Sequence, residues 1–363
     1  MYSSELKAIK KSNLFRQRVV EDSTLVDFSS NDYLGLSEVG TLVDLTCKSM
    51  QKYPSHAPKA SQLVNGYHEI HKNFEDYLCE INSFESAIVA GSGFLANLAL
   101  LEALPRKKDL LLLDEEYHAS GVLASKLTDA KVVYFKHNDM QDLENILKKS
   151  DYKRVIVAVE GIYSMSGDLL KKEIFDLCEK YKFLLIVDEA HSVGVVGKNL
   201  LGVFDLYGVK PTQYHIKMGT LGKAVGSYGA YILCSKHISE FLQNRAKPLI
   251  YATAPSLFDI ELSRVSMLYM YEKRELFLKQ IEARRELVKR YFDVDIDGLI
   301  FSFKLNSSKD VLLYKQKLME QGFSVGAIRP PTVKEPILRI IPRLGVRIEK
   351  FEELCRYLLE LKK

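Results

Sequence analysis

The chain has 363 residues, of which 47% are hydrophobic and 27% charged, values typical of a globular protein with more than one domain. Its 51 basic and 47 acidic side chains leave a net charge of +4, which gives no support for nucleic acid as the main partner. The apolar runs are too short to cross a membrane, and the five cysteines are scattered without a CxxC spacing. We therefore expect a cytoplasmic protein with neither a membrane span nor a metal site.

The first 42 residues are predicted to form a basic helix followed by an extended segment. The basic side chains of this segment would attract an anionic partner, such as the phosphates of a coenzyme or an acidic carrier protein. The simpler interpretation, a solvated helix face, is favoured. The side chains concerned are Lys7, Lys10, Lys11, Arg16 and Arg18.

From about residue 86 to residue 234, short apolar runs alternate with helical stretches. Continuous apolar runs indicate strands that are covered on both faces, and the intervening helices supply that cover. The pattern predicts an α/β fold with a doubly wound, mostly parallel sheet, in a large domain spanning residues 43–254. The predicted strands are 86–90, 109–113, 131–135, 154–159, 183–187, 214–218 and 228–234.

Beyond residue 254 the pattern changes to a charged helical stretch over 256–292, three short strand-like segments and a terminal helix. The spacing of apolar residues in the long stretch is that of an amphipathic helix with a solvated charged face. We predict a smaller α+β domain over residues 255–363, packed beside the large one.

Polar residues and glycines follow five of the predicted strands. Because parallel strands bring their carboxyl ends to one edge of a sheet, these residues are expected to form a ligand site. In chain order the candidates are Gly93, Phe94, His118, Ser164, Asp188, His191, Thr220 and Lys223.

Lys223 lies in the glycine-rich segment GTLGKAVGS, 35 residues after Asp188 of the segment VDEAHS. A lysine held in such a turn suits Schiff-base chemistry on pyridoxal 5′-phosphate, although an exposed lysine in an ordinary turn is the alternative. Asp188 is placed to keep the pyridine nitrogen protonated, and His191 to bind the ring hydroxyl. DEAH also occurs in helicases, but the GxxxxGK[ST] phosphate loop is missing from this sequence.

The remaining contacts that this cofactor needs also have candidates. Gly93 and Phe94 open a helix whose N-terminus favours a phosphate, and Thr220 adds a hydroxyl. His118 or Tyr117 offers a flat ring to stack on the pyridine, with a hydrogen-bonded structural histidine as the alternative for His118.

The motifs together resemble the α-oxoamine synthases, fold-type I pyridoxal phosphate enzymes that condense an amino acid with an acyl thioester and release carbon dioxide. The resemblance covers nearly the whole chain, and AIRPPTV (327–333) points to the branch that joins L-alanine to a pimeloyl thioester in biotin biosynthesis. The thioester would be carried by coenzyme A or by an acyl carrier protein. The other motifs are FSSNDYLGL (28–36), GSGFLAN (91–97), YHAS (117–120), EGIYSMSGD (160–168), VDEAHSVGVVG (187–197) and GTLGKAVGSYGAY (219–231).

The resemblance implies a role for each matching residue. Lys223 would hold the cofactor covalently and act as the base, Asp188 would pair with the pyridine nitrogen, and His118 would stack on the ring. Asn31 and Arg339 would bind the amino-acid carboxylate, while Arg16 and Thr332 match acyl-substrate positions. Thr253 resembles a residue that reaches the phosphate of a neighbouring subunit, which implies a homodimer with shared sites. His191 and Ser164 would lie near the ring hydroxyl, and Gly93, Phe94 and Thr220 would hold the cofactor and its phosphate.

Two alternatives remain open at this stage. Glycine C-acetyltransferase shares every cofactor residue and differs in the acyl pocket. A homologue without catalytic activity that serves as a scaffold subunit belongs to another class, and the presence of Lys223, Asp188, His191 and His118 argues against it.

Overall fold

A seven-stranded sheet lies at the centre of the computed structural model, which describes residues 1–12 and 15–362. Each of the seven strands predicted from the sequence is present, with ends that differ by at most two residues. They are β2 (Ser86–Ala90), β3 (Asp109–Asp114), β4 (Lys131–Phe135), β5 (Arg154–Glu160), β6 (Leu184–Asp188), β7 (His215–Thr220) and β8 (Ala230–Cys234).

The strand order is β2-β8-β7-β6-β5-β3-β4, and β8 alone in this sheet runs antiparallel to its neighbours. The predicted doubly wound, mostly parallel sheet is therefore confirmed. Strands β5 and β6 pair in parallel with Glu160 opposite Asp188, so these two carboxyl groups end adjacent strands.

The leucine run of β3 shows why a continuous apolar strand belongs in this sheet. Leu110 and Leu112 face one hydrophobic core, and Leu111 and Leu113 face another on the opposite side. Successive side chains of a strand point to opposite faces, so both faces must be covered. Helices supply that cover.

The helices of the described residues are bounded as follows. They are α1 (Ser3–Lys11), α2 (Gly40–Met50), α3 (Glu69–Asn82), α4 (Gly93–Ala103), α5 (Ala119–Ala124), α6 (Met140–Lys148), α7 (Glu173–Tyr181), α8 (Val203–Tyr207), α9 (Lys236–Arg245), α10 (Lys247–Ile250), α11 (Leu257–Glu272), α12 (Arg274–Phe292), α13 (Ser308–Glu320) and α14 (Ile348–Lys362). The stretch predicted to be helical over 256–292 forms two helices, α11 and α12, and Lys273 lies between them. No helix in the described ranges is long and apolar enough to span a membrane.

The described residues also form a second, four-stranded sheet. Its strand order is β1-β10-β11-β9. Its strands are β1 (Val26–Phe28), β9 (Phe301–Lys304), β10 (Phe323–Ile328) and β11 (Ile337–Ile340). Strand β1, from the segment predicted only as extended, pairs in parallel with β10 and buries Phe28 against Phe323 and Phe351. The N-terminal segment thus contributes a strand to the smaller sheet. The division at residues 42 and 254 stays a prediction.

Candidate active site

The carboxyl ends of β2, β3, β5, β6 and β7 lie at one edge of the large sheet, as parallel strands require. Asp188 ends β6, Glu160 ends β5 and Lys223 occupies the turn between β7 and β8. Asp188 and Glu160 are both buried. The edge therefore combines two carboxyl groups and an amine within one group of side chains.

A chain of hydrogen bonds links Lys223 to Arg339. Lys223 Nζ lies 2.7 Å from His191 Nε2, and His191 Nδ1 lies 2.5 Å from the hydroxyl of Tyr33. Tyr33 in turn donates to Asn31 Oδ1 over 3.4 Å, and Arg339 Nη1 donates to the same oxygen over 2.9 Å. The chain joins the candidate covalent lysine to the candidate carboxylate-binding pair.

The surroundings of the lysine and the histidine favour their neutral forms. Burial lowers the pKa of Lys223 to about 8, although the nearby Asp188 and Glu160 carboxylates act in the opposite direction. Burial and the neighbouring Lys223 hold the pKa of His191 well below its usual range. A neutral His191 can accept from the lysine at Nε2 and donate to Tyr33 at Nδ1.

Asp188 is oriented by partners on two sides. Its Oδ2 accepts from Asn97 Nδ2 at 2.8 Å, and its Oδ1 accepts from the Ala190 backbone N–H at 2.9 Å. Asn97 is itself fixed, because its Oδ1 accepts from the Tyr117 hydroxyl at 2.7 Å. These bonds hold the carboxylate in one orientation at the end of β6.

His118 caps the N-terminus of α5 at the same edge of the sheet. Its Nδ1 accepts from the Ser120 N–H at 3.2 Å and lies 2.7 Å from the Ser120 hydroxyl. The same hydroxyl accepts from Asn97 Nδ2 at 3.1 Å. The His118 side chain is exposed, so its ring is accessible to a bound molecule, whereas Tyr117 is buried. Of the two candidates for stacking on the pyridine ring, His118 is the accessible one.

The start of α4 faces Thr220. Ser92 caps the helix by accepting from the Leu95 N–H, and a Cβ on Gly93 would lie 3.7 Å from Thr220 Cβ. The amides of Gly93 and Phe94 belong to the first turn, whose N–H groups have no partner within the helix. Together with the Thr220 hydroxyl they provide the donors that a phosphate needs.

Arg339 and Glu160 each retain a buried polar atom without a hydrogen-bond partner in the described structure, namely Nη2 of Arg339 and Oε1 of Glu160. The other atoms are engaged: Arg339 Nε donates to the Ser164 carbonyl at 2.7 Å, and Glu160 Oε2 accepts from the Ser164 N–H at 3.0 Å. Buried polar atoms normally find partners, so both atoms are available to a ligand that binds beside the Lys223 group.

Three predicted residues lie apart from this group. Arg16, Thr253 and Thr332 are exposed, and among the described residues no hydrogen bond or ion pair connects them to the Lys223 group. Thr253 pairs with Ser61 in an isolated bridge, and the Thr332 N–H donates to the Arg329 carbonyl. Their predicted roles stay predictions that require an acyl substrate or a second subunit.

Sequence reasoning missed four side chains that contact the predicted ones. Each lies in or next to a motif already noted, so the positions were visible but the contacts were not. They are Tyr33 beside Asn31, Asn97 in GSGFLAN, Ser120 in YHAS and Glu160 at the start of EGIYSMSGD.

The donor set fits pyridoxal phosphate. The helix start and Thr220 suit the phosphate, Asp188 suits a protonated pyridine nitrogen, and Lys223 with its lowered pKa suits an aldehyde. The unpartnered Arg339 Nη2 is left for an anionic group of a substrate.

Known proteins resemble this chain over nearly its whole length. A family model described as aminotransferase class I and II matches residues 23–358. An 8-amino-7-oxononanoate synthase of Helicobacter pylori is 39% identical, over 100% of this chain and 98% of that protein. The 8-amino-7-oxononanoate synthase structure from Francisella tularensis has a TM-score of 0.76 at 28% identity and covers 94% of this chain and 97% of its own.

A serine palmitoyltransferase structure from Sphingomonas wittichii shares the fold, with a TM-score of 0.89 at 24% identity over 99% of this chain and 98% of that one. Fold and site thus define a fold-type I enzyme that depends on pyridoxal phosphate. The chain belongs to the α-oxoamine synthases, acyltransferases within the class I and II aminotransferase family.

Proposed function

We propose that this chain condenses L-alanine with a pimeloyl thioester to give 8-amino-7-oxononanoate, carbon dioxide and the free thiol carrier in biotin biosynthesis. The observation that carries the proposal is the buried, unpartnered Arg339 Nη2 beside Asn31, joined through His191 to Lys223. A guanidinium with a free N–H recognises a carboxylate. The full-length likeness to proteins named 8-amino-7-oxononanoate synthase supports this choice of reaction.

The proposal assigns a role to each cofactor residue. Lys223 would attach the cofactor, Asp188 would hold the proton on its ring nitrogen, and His191 and Ser164 would contact the ring hydroxyl. His118 would stack on the ring. Gly93, Phe94 and Thr220 would bind the phosphate. When bound, the protonated ring withdraws electrons from the amino acid's Cα and so eases loss of a proton or of carbon dioxide there.

Proton transfer is assigned to Lys223. Asn31 and Arg339 would hold the alanine carboxylate, and the hydrogen bonds through Tyr33 and His191 connect this pair to Lys223 Nζ. Once the amine of the substrate has replaced it on the cofactor, Lys223 would be a free amine. With a pKa lowered to about 8, this amine would be neutral in a useful fraction near pH 7 to 8, take the Cα proton and later return it to the product.

The acyl transfer forms one bond and breaks two. A carbon–carbon bond forms between alanine Cα and the pimeloyl carbonyl carbon, the carbon–sulfur bond breaks, and the thiolate leaves and takes a proton from water. The bond from Cα to the carboxylate then breaks, and carbon dioxide is released. Arg16 and Thr332 are assigned to the acyl substrate, and Thr253 to the phosphate site of a second copy in a homodimer.

The test is the mass of the product formed from separate substrate pairs. L-alanine is offered with pimeloyl-coenzyme A or pimeloyl-acyl carrier protein, and glycine with acetyl-coenzyme A. We expect 8-amino-7-oxononanoate from one or both alanine pairs. Turnover of the glycine pair alone would replace the proposal with glycine C-acetyltransferase.

Two variants separate catalysis from a scaffold function. Lys223→Ala should abolish both the visible absorbance that follows addition of pyridoxal phosphate and product formation. Arg339→Lys keeps the charge but loses the planar fork, and should raise KM for L-alanine by about tenfold or more. The matched change at the exposed Arg347 should leave KM unchanged. Wild-type protein without a cofactor absorbance would contradict the assignment of an active enzyme.

A further inference from the structure

The segment 161–171 is held from outside the active site by two residues that the proposed mechanism does not use. They are His137 and Asn138, which follow β4 at the edge of the large sheet. Both contact this segment through side-chain hydrogen bonds. The segment carries Ser164, whose carbonyl binds Arg339.

His137 bridges two carboxylates. Its Nδ1 lies 2.9 Å from Oδ1 of the fully buried Asp114, and its Nε2 lies 3.0 Å from Oδ2 of Asp168. The Tyr163 ring packs edge-on against the imidazole, with 4.3 Å between centroids, and its hydroxyl donates to Asp114 Oδ2 over 2.8 Å. The imidazole thus ties both ends of the loop 163–168 to the end of β3.

The charge of His137 suits a bridge of this kind. Burial alone would lower the pKa of His137, but its hydrogen bonds to Asp114 and Asp168 raise it to about 10. The imidazole is therefore a cation at neutral pH, with both ring nitrogens donating. Glu116, with Oε2 3.7 Å from Nε2, adds a third carboxylate to the same face.

Asn138 fixes the following residues of the segment. Its Nδ2 donates to the Leu169 carbonyl at 2.9 Å, and its Oδ1 accepts from the Lys171 N–H at 3.1 Å. Its own backbone N–H donates to Asp114 Oδ2 at 2.7 Å. The buried Asp114 is thus the common anchor of His137, Asn138 and Tyr163.

On its inner side the same segment meets Arg339. The Ser164 carbonyl accepts from Arg339 Nε at 2.7 Å, and the Ser164 N–H donates to Glu160 Oε2 at 3.0 Å. This carbonyl at Nε and Asn31 Oδ1 at Nη1 together set the rotation of the guanidinium plane, because the fork is planar and two fixed nitrogens fix the third. The direction of the unpartnered Nη2 therefore depends on where Ser164 lies.

We propose that His137 is a positioning residue for recognition of the substrate carboxylate, acting through Asp168 and Ser164 on Arg339. This inference rests on the proposed function only in taking an amino-acid carboxylate as the ligand of Arg339. His137 does not touch the substrate; it holds the segment that orients the arginine.

The test compares the binding of two probes, L-alanine and L-alaninamide. L-alaninamide has an uncharged amide in place of the carboxylate. Their dissociation constants are measured on the holoenzyme from the change in visible absorbance. His137→Gln should weaken L-alanine binding by about tenfold, since small displacements of a positioning group are costly, and leave L-alaninamide binding within about twofold. The affinity for pyridoxal phosphate should not change.

Asp168→Asn keeps the size of the side chain but removes its charge. It should weaken L-alanine binding by a smaller factor than His137→Gln does and leave L-alaninamide binding within about twofold. His237→Gln, at an exposed position on α9, is the matched control and should behave as wild type. Asp168→Asn also keeps the test available should His137→Gln fail to fold.

An equal loss of affinity for both probes would overturn the inference, because it would show a general structural effect. Unchanged L-alanine binding in both variants would do the same, as would a wild-type enzyme that binds the two probes equally well. Failure of the proposed condensation is read separately, from the absence of 8-amino-7-oxononanoate with wild-type enzyme.

Discussion

Tyr33 and His191 share a buried hydrogen bond of 2.5 Å between the phenol oxygen and Nδ1. The bond sets which nitrogen of His191 faces Lys223, because the other nitrogen is then left for the lysine. Tyr33→Phe keeps the ring that fills this part of the core and removes the hydroxyl. We expect the affinity for pyridoxal phosphate to fall about tenfold, as for other residues that orient a ligand-binding histidine, measured by absorbance titration of the apo-protein.

Tyr231→Phe is the matched control for this experiment. The Tyr231 hydroxyl is buried without a partner within the described structure, so its removal leaves no donor or acceptor unpaired. The variant should bind the cofactor as wild type does and be at least as stable. Equal effects of the two changes would show that Tyr33 acts through packing alone.

Lys223 should react with the cofactor at a lower pH than an ordinary lysine does. Because burial lowers its pKa from 10.5 to about 8, the neutral amine is the main form above pH 8. The rate at which apo-protein develops visible absorbance with pyridoxal phosphate should rise with pH up to about 8 and then level off. A rate that still rises between pH 9 and 10 would contradict the lowered pKa; N-acetyl-lysine provides the reference.

Glu75 lies outside the candidate active site and should make the free energy of unfolding depend on pH. Burial raises the pKa of this carboxyl on α3 to about 7, although hydrogen bonds from Tyr67 and the Val89 N–H lower it in part. The folded protein therefore holds a proton that the unfolded chain loses near pH 4.5. The shifted pKa of Glu75 therefore adds to the free energy of unfolding. This stabilisation is fully present below pH 4.5 and is lost as the pH rises to about 7.

Glu75→Gln, which cannot ionise, should lack this dependence. Its free energy of unfolding relative to wild type should increase by about 3 kcal/mol between pH 4.5 and pH 7.5, measured by urea denaturation. Glu69→Gln, at an exposed position of the same helix, should show no such trend. A difference between Glu75→Gln and wild type that is constant with pH would refute the assignment.

Arg343 ties the N-terminal segment to the end of the smaller sheet. Its guanidinium is 4% exposed and donates to Asp27 at 3.1 Å, to Asp32 at 2.7 Å and to Glu38 at 2.5 Å. Arg343→Met should lower the free energy of unfolding by about 2 kcal/mol, less than for a fully buried pair because the carboxylates retain some water. Arg347→Met is the exposed control, measured by the same denaturation.

The same variant should affect substrate binding, because the segment that Arg343 holds carries Asn31 and Tyr33. We expect weaker L-alanine binding in Arg343→Met even at temperatures where the protein is fully folded. A variant that loses stability but binds L-alanine as wild type does would show that this segment keeps its place without the arginine.

The smaller sheet was predicted only in part from the sequence. Its C-terminal strands were predicted from their apolar patterns, but β1 was predicted only as extended backbone. A three-residue strand has too short a pattern to be recognised, and its pairing partner Phe323 lies about 300 positions later. Hydrogen bonding to β10 makes Val26–Phe28 a strand.

The sequence by itself determined the large sheet and the identity of Lys223, Asp188 and His191 as candidates. Continuous apolar runs require a sheet covered on both faces, and parallel strands must bring their final residues to one edge. These are local patterns combined with one geometric rule, which is why they could be predicted.

The tertiary structure alone decided which partners these residues have. Tyr33 reaches His191 across 158 positions of sequence, and Arg339 reaches the Ser164 carbonyl across 175. Such contacts depend on how the loops fold over the sheet edge, and no local periodicity encodes them. The chain from Lys223 to Arg339 and the bridge at His137 emerge only when both sheets and their loops are packed together.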